Sequence, residues 1–225
     1  MFWTSLVAAA LAAQAAAADA APQEQLDPRY ADCVQFVEAD IELGRIAAQQ
    51  WVDEGGGAEA RHCLAVADLK AGFPKLAALR LQDIAQRKDA GDDYVRARLY
   101  AQAAEAWLAA GENAYAEQAL DQAQTLVPDS AELQLTAAKV YAAQNRWKDV
   151  VDAVNTAEEG GLVSAETYVL RGRGRYIVGA HELAAEDVVA ALTIDPVNVD
   201  ALVLRGDLAQ AGITIDVFFD PPKKP

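Results

Sequence analysis

Two histidines, two cysteines, one methionine and seven per cent aromatic residues leave this 225-residue chain little of the chemistry from which active sites are built. Neither His62 nor His181 has a catalytic partner set around it, and His181 falls 34 residues after Trp147, which suits a structural ring. His62-Cys63 with Cys33 supplies too few soft ligands for zinc, and no Cys-x-x-Cys or His-x-x-x-His spacing exists. Arg171-Gly172-Arg173-Gly174-Arg175 lacks the Gly-x-x-x-x-Gly-Lys-Ser/Thr order of a phosphate loop and reads as helix packing with exposed arginines. There is no Gly-x-Ser-x-Gly elbow. These absences point away from catalysis and imply neither cofactor nor metal. Basic residues are scarce too. The 19 Lys and Arg stand against 34 Asp and Glu, a formal charge of −15 that speaks against nucleic acid and against anionic membrane surfaces.

What the chain has in abundance is alanine and a period. Stepping by 34 links Ala104, Ala138, Gly172 and Gly206, then Gly111, Asn145 and Gly179. The same step links Ala116, Val150 and Ala184, then Ala123, Ala157 and Ala191, while Pro128 and Pro196 stand two periods apart. Such a period marks stacked helix–turn–helix units rather than one closed core. A composition that is 53% apolar and 24% charged suits one elongated helical domain, and small residues let helix backbones approach closely.

The beginning of the chain reads differently. Leu6-Val7-Ala8-Ala9-Ala10-Leu11-Ala12-Ala13 is an uncharged apolar run, followed by the A-x-A site Ala18-Asp19-Ala20 before Ala21-Pro22. That is the order of a cleaved signal peptide, although no Lys or Arg precedes Leu6. The run is too short to span a bilayer, so no stable membrane insertion is expected after processing. The expected location is periplasmic or secreted. Cys33 and Cys63 each stand five residues into an expected helix, counted from Pro28 and from Ala58. Equivalent sites on adjacent stacked helices face each other, and axes roughly 8–10 Å apart bring such Cα atoms within disulfide range. In an exported protein this predicts a Cys33–Cys63 bridge.

The chain thus divides into a signal segment over 1–20, a short linker over 21–27, divergent helical repeats over 28–93, regular repeats over 94–212 and an extended tail over 213–225. Helices are expected over 28–38, 41–53 and 58–70, with Pro74 opening a fourth that reaches about Arg87. Lys88-Asp89-Ala90-Gly91-Asp92-Asp93 is a polar connector that breaks the period by about five residues. Beyond it, helical spacing covers 100–110, 116–126, 132–144, 147–157, 166–178, 181–194 and 199–211.

Here the residues carry a resemblance. Tyr168, Gly172, Gly179, Ala184, Ala191 and Asp195-Pro196 resemble one tetratricopeptide repeat, and Tyr100, Trp107, Gly111, Ala116, Ala123 and Pro128 resemble another. Arg175 takes the place of a packing aromatic, and Asn145 that of a turn glycine. The resemblance implies an all-α, right-handed superhelix of stacked repeats whose first helices line a concave, peptide-binding face. It implies a non-catalytic scaffold or adaptor, here of the bacterial cell envelope, for a protein or peptide partner. A constitutive subunit of a larger envelope complex and a membrane-tethered assembly factor are the alternatives. The Lys/Asn/Asn/Lys/Arg set with which such domains grip chaperone carboxylates is not carried over, because its places include Ala101, Glu105, Thr136, Glu166 and Leu170.

Glu105, Lys139, Arg173 and Asp207 are spaced by 34 and are expected along one edge of successive first helices, with Leu135, Val169, Tyr176 and Ile177 beside them as an apolar floor. Two readings stay open at this point. Lys139 and Arg173 either meet a carboxylate of a bound segment or pair with Glu105, Glu132, Glu166 or Asp207 across neighbouring helices. In the tail, Ile213, Ile215 and Val217 alternate with polar residues, which suits an extended strand. That strand either folds back over 199–211 or pairs with another chain.

Overall fold

A computed structural model describes residues 27–128 and 130–215. The expected signal segment, the linker as far as residue 26 and the tail beyond Ile215 lie outside the described residues. Within them the chain forms eleven helices: α1 (Pro28–Ala39), α2 (Ile41–Asp53), α3 (Gly57–Lys70), α4 (Pro74–Gln86), α5 (Asp93–Ala109), α6 (Asn113–Leu126), α7 (Ala131–Ala143), α8 (Trp147–Glu159), α9 (Ala165–Ile177), α10 (His181–Ile194) and α11 (Val199–Gln210). They run as five antiparallel pairs followed by α11.

From α5 onward, first and second helices start in different ways. α1, α5, α7, α9 and α11 follow Asp27, Asp92, Ser130, Ser164 and Asn198, whose side chains each accept a bond from a first-turn backbone N–H. The Asp92 cap is why α5 begins at Asp93, well before the expected position 100. The second helices α6, α8 and α10 have no side-chain cap and issue from tight reverse turns. In each turn one residue takes the left-handed conformation: Gly111 at φ 73°, Asn145 at 59° and Gly179 at 86°. Asparagine tolerates that region better than other side chains, so the departure at position 145 keeps the turn. The same backbone bond then closes all three, from Glu112 to Trp107, Arg146 to Tyr141 and Ala180 to Arg175, at 2.8–2.9 Å.

The curvature follows from which helices touch. α5 meets α7, α7 meets α9, α9 meets α11 and α1 meets α3, while the second helices have no comparable contact with one another. First helices therefore line the inner, concave side. The disulfide Cys33–Cys63 joins α1 to α3 across a Cα–Cα distance of 6.4 Å, and Cys63 is fully buried. α3 and α5 are not packed together in this way, which is where the connector interrupts the repeat.

The apolar core comes in three parts. One, around Val37, Trp51 and Leu64, holds α1 to α3; the largest, from Ala65 to Val154, runs through α3 to α8; the last, around Val188, Leu192, Leu204 and Leu208, joins α10 to α11. Ile215, just past α11, is buried in this last cluster with Ile213 packed against it. Small residues set the helix spacing. A side chain added at Gly172 would meet the Asp187 Cβ and a Leu204 methyl at 3.1 Å, tighter than ordinary van der Waals contact.

Candidate partner-binding face

Residues three and seven positions apart share one face of a helix. On α5 this gives Arg98, Ala101 and Glu105; on α7 Glu132, Leu135 and Lys139; on α9 Glu166, Val169 and Arg173; on α11 Asp200, Val203 and Asp207. Four parallel stripes thus carry a charge, an apolar residue and a charge. Polar bonds across the seams show that these stripes face each other. Lys139 Nζ lies 2.8 Å from a Glu105 carboxylate oxygen and 2.9 Å from one of Glu166. Arg173 donates to Asp207, and the Tyr94 hydroxyl donates to Glu132 at 3.3 Å with Arg98 at 3.9 Å. Leu135 and Val169 lie between these pairs, half-buried, and Val203 stands exposed.

Both central cations are therefore engaged with carboxylates of neighbouring helices, the second of the two arrangements that the sequence allows. The Lys139 side chain is 25% exposed, against 46% for Glu105 and 53% for Glu166, so a visitor meets carboxylates before it meets the ammonium. Burial works against the lysine charge, but the bonds from Glu105 and Glu166 outweigh it and hold its pKa above the usual lysine value. Counted over the four stripes, Arg98, Lys139 and Arg173 face Glu105, Glu132, Glu166, Asp200 and Asp207, three cations against five carboxylates. The face is acidic with apolar rungs.

Tyr176 stands three residues beyond Arg173 and seven beyond Val169 on α9, and it packs with Val169 against the last apolar cluster. Tyr176 is half-buried and stacks on His181 of α10 with ring centroids 5.2 Å apart, while Ile177 is exposed at the end of α9. His181 is thus a packed ring at the turn. His62 does more. Its Nδ1 accepts from the Tyr30 hydroxyl at 2.7 Å and its Nε2–H donates to Gln102 Oε1 at 2.8 Å, so α1, α3 and α5 are linked across the interrupted seam. Burial, with the Arg98 charge adding to it and the Gln102 bond opposing, holds the His62 pKa below the ordinary histidine value.

The arginines of the Arg-Gly-Arg-Gly-Arg stretch are not exposed as the sequence suggested. Arg171 is buried and donates twice to Asp187, at 3.0 and 2.8 Å, and also to Asn155 and Glu158 of α8. Arg175 donates to the other Asp187 oxygen at 2.8 Å. Burial disfavours the Arg171 charge, and the bonds to Asp187 and Glu158 more than offset it. A second cluster of this kind surrounds Asp68, fully buried in α3, which accepts from Arg45 of α2 and Arg80 of α4 at 2.6 Å each. Each cluster sits at a seam between apolar cores, so these charges join repeats. Among the described residues no group of three or more His, Cys, Asp or Glu is placed to hold a metal ion, and no helix is long and apolar enough to cross a membrane.

No protein-family model and no curated protein matches this sequence. Solved structures do resemble it. TTC0263, a thermophilic TPR protein of Thermus thermophilus, is 19% identical with a TM-score of 0.59, over 81% of this chain and 98% of that one. YrrB, a TPR protein with an unusual peptide-binding site, is 15% identical with a TM-score of 0.57, over 82% and 94%. MamA is 16% identical with a TM-score of 0.55, over 84% and 97%. At such identities only the backbone arrangement is shared. Paired antiparallel helices, a left-handed turn residue in each pair and first helices on the concave side give the chain the tetratricopeptide-repeat fold, a right-handed superhelix of stacked helix–turn–helix units.

Proposed function

We propose that the protein is a non-catalytic adaptor of the bacterial cell envelope that holds an extended segment of another protein along its concave face. The observation that carries this reading is the set of four aligned stripes, each with an apolar rung flanked by charges. Neighbouring first helices lie roughly 8–10 Å apart, and a segment in the polyproline II conformation rises about 3.1 Å per residue with three residues per turn, so three residues of a bound segment span one rung to the next and return a side chain to the same side. The partner segment accordingly carries an apolar side chain at every third position. With both groove cations already paired and carboxylates outermost, the intervening residues are basic or neutral rather than acidic. The Cys33–Cys63 bridge and the apolar leader with its A-x-A site support an oxidising compartment outside the cytoplasm.

The test is site-specific crosslinking in the native cell. A photoreactive residue in place of Val169 is expected to trap one discrete partner from the envelope fraction. The same residue in place of Gln122, exposed on second helix α6, is expected to trap none. Equal trapping from both positions would remove the concave face from the account, and a partner found only in the cytoplasm would remove the location.

A further inference from the structure

The last helix departs from the pattern of those before it. On α9, Tyr168, Arg171, Gly172 and Arg175 share one face, and it is turned to the second helix α10. Arg171 and Arg175 donate to Asp187 there, and a side chain added at Gly172 would meet the Asp187 Cβ at 3.1 Å and the Ala184 carbonyl oxygen at 3.5 Å. The same register on α5 is Tyr100, Ala103, Ala104 and Trp107, all buried. Stepping by 34 from α9 reaches Leu202, Arg205, Gly206 and Ala209 on α11. Here Leu202 is 41% exposed, Gly206 and Ala209 are exposed, and a side chain added at Gly206 would meet nothing within 4 Å.

Among the described residues no helix follows α11, and Ile215 is buried in a cluster with Ala201, Leu204 and Leu208 on a different face of it. Arg205 forms no ion pair among the described residues, although it stands in the register of Arg171, whose guanidinium is closed on Asp187. The period therefore describes what fits. It is a helix with a carboxylate at the place of Asp187 and a small residue at the place of Ala184, three positions earlier, because Gly206 leaves room for close approach. A second copy of this chain fits poorly. Laid antiparallel on the stripe by a two-fold axis, α11 would set Arg205 against Arg205 and Asp200 against Asp200, so like charges would meet.

We propose that this end of the stack is a second docking surface, separate from the concave face, and takes an amphipathic helix of a partner protein where earlier repeats carry their own second helix. The carboxylate of that helix meets Arg205, its small residue lies over Gly206, and apolar residues in the register of Val188 and Ala191 continue along α11 towards Leu202. Its outward residues are basic or neutral, to suit a chain of net charge −15.

The probe is a fluorescent peptide copying α10, residues 181–194, held helical by a hydrocarbon link between the exposed positions of Glu182 and Glu186. It is titrated with the full chain by anisotropy, and saturable one-to-one binding is expected. Arg205→Gln in the protein and Asp187→Asn in the peptide are each expected to weaken binding about tenfold. The two together are expected to weaken it no further than either alone, because they break the same bond. Gly206→Leu is expected to abolish binding while the melting temperature holds, since the added side chain meets nothing in the free protein. No binding by the unaltered protein would overturn the proposal, as would an affinity unmoved by Arg205→Gln and Gly206→Leu. Binding lost as the chain dimerises on concentration would also overturn it, because a second copy would then be the occupant.

Discussion

Removing Asp187 tests what holds the third regular repeat to its neighbours. Its carboxylate is 2% exposed and takes three hydrogen bonds from Arg171 and Arg175. Asp187→Ala leaves a buried guanidinium at Arg171 without its main counterion, and breaking a buried pair in this way costs about 3–5 kcal/mol. Arg171 keeps Asn155 and Glu158, which places the expected loss near the lower bound, about 3 kcal/mol. The period itself supplies the compensating design. Arg171, Arg175 and Asp187 stand 34 residues after Ala137, Tyr141 and Ala153, which belong to or pack on the middle apolar core. The triple variant Arg171→Ala, Arg175→Tyr, Asp187→Ala copies the preceding repeat, and exchanging a buried charge cluster for apolar packing is often neutral or stabilising. Urea unfolding followed by circular dichroism is expected to show the single variant about 3 kcal/mol less stable and the triple within about 1 kcal/mol of the unaltered protein. A single variant that loses less than about 1 kcal/mol, or a triple as damaged as the single, would refute the view that these charges stabilise one another as a closed set.

Replacing both cysteines by alanine opens a loop with a sequence separation of 30, and the chain-entropy model gives a loss of about 3–4 kcal/mol. Amide exchange is expected to quicken in α1 and α2 first, because they share only the smallest apolar cluster with the rest of the chain. His62 adds a pH dependence. Its folded pKa lies below the unfolded value, so the stability it lends is present above about pH 6.5 and declines as pH falls from there towards the folded pKa, while His62→Gln flattens that stretch of a urea-midpoint profile. Lys139→Met leaves Glu105 and Glu166 facing each other across a part-exposed seam. Folding stability should fall by no more than about 1 kcal/mol per lost pair, while capture of a lysine-containing peptide tightens at low salt.

The helices were legible because the period is long and its small residues recur at fixed places. Ile41–Asp53 and His181–Ile194 are where apolar spacing and flanking stops put them, and Asn145 could stand in for a turn glycine because its backbone tolerates the left-handed region. The early start of α5 was missed because Asp92 and Asp93 read as a polar connector, whereas Asp92 serves as the cap. The buried arginines were misread for a related reason. An Arg-Gly-Arg-Gly-Arg string looks solvated, and only its alignment with Ala137 and Tyr141, together with Asp187 in the Ala153 register, marks a coordinated exchange of core for charge. Along the concave face the period placed Glu105, Lys139, Arg173 and Asp207 at one level on successive helices, but spacing cannot say which neighbour a long side chain turns to. The seam geometry turns both cations sideways to carboxylates of neighbouring helices, and the charge proposed for a partner segment follows from that.

The most direct test of the concave-face account is a calorimetric titration of the mature protein with three twelve-residue peptides. Each peptide carries leucine at every third position, with lysine, serine or glutamate between. The account predicts that the lysine peptide binds best and the glutamate peptide worst, that the preference shrinks as salt is raised, and that the double variant Leu135→Asp, Val169→Asp abolishes binding with little change in melting temperature. Tightest binding by the glutamate peptide, or binding of the lysine peptide that survives the double variant, would contradict it.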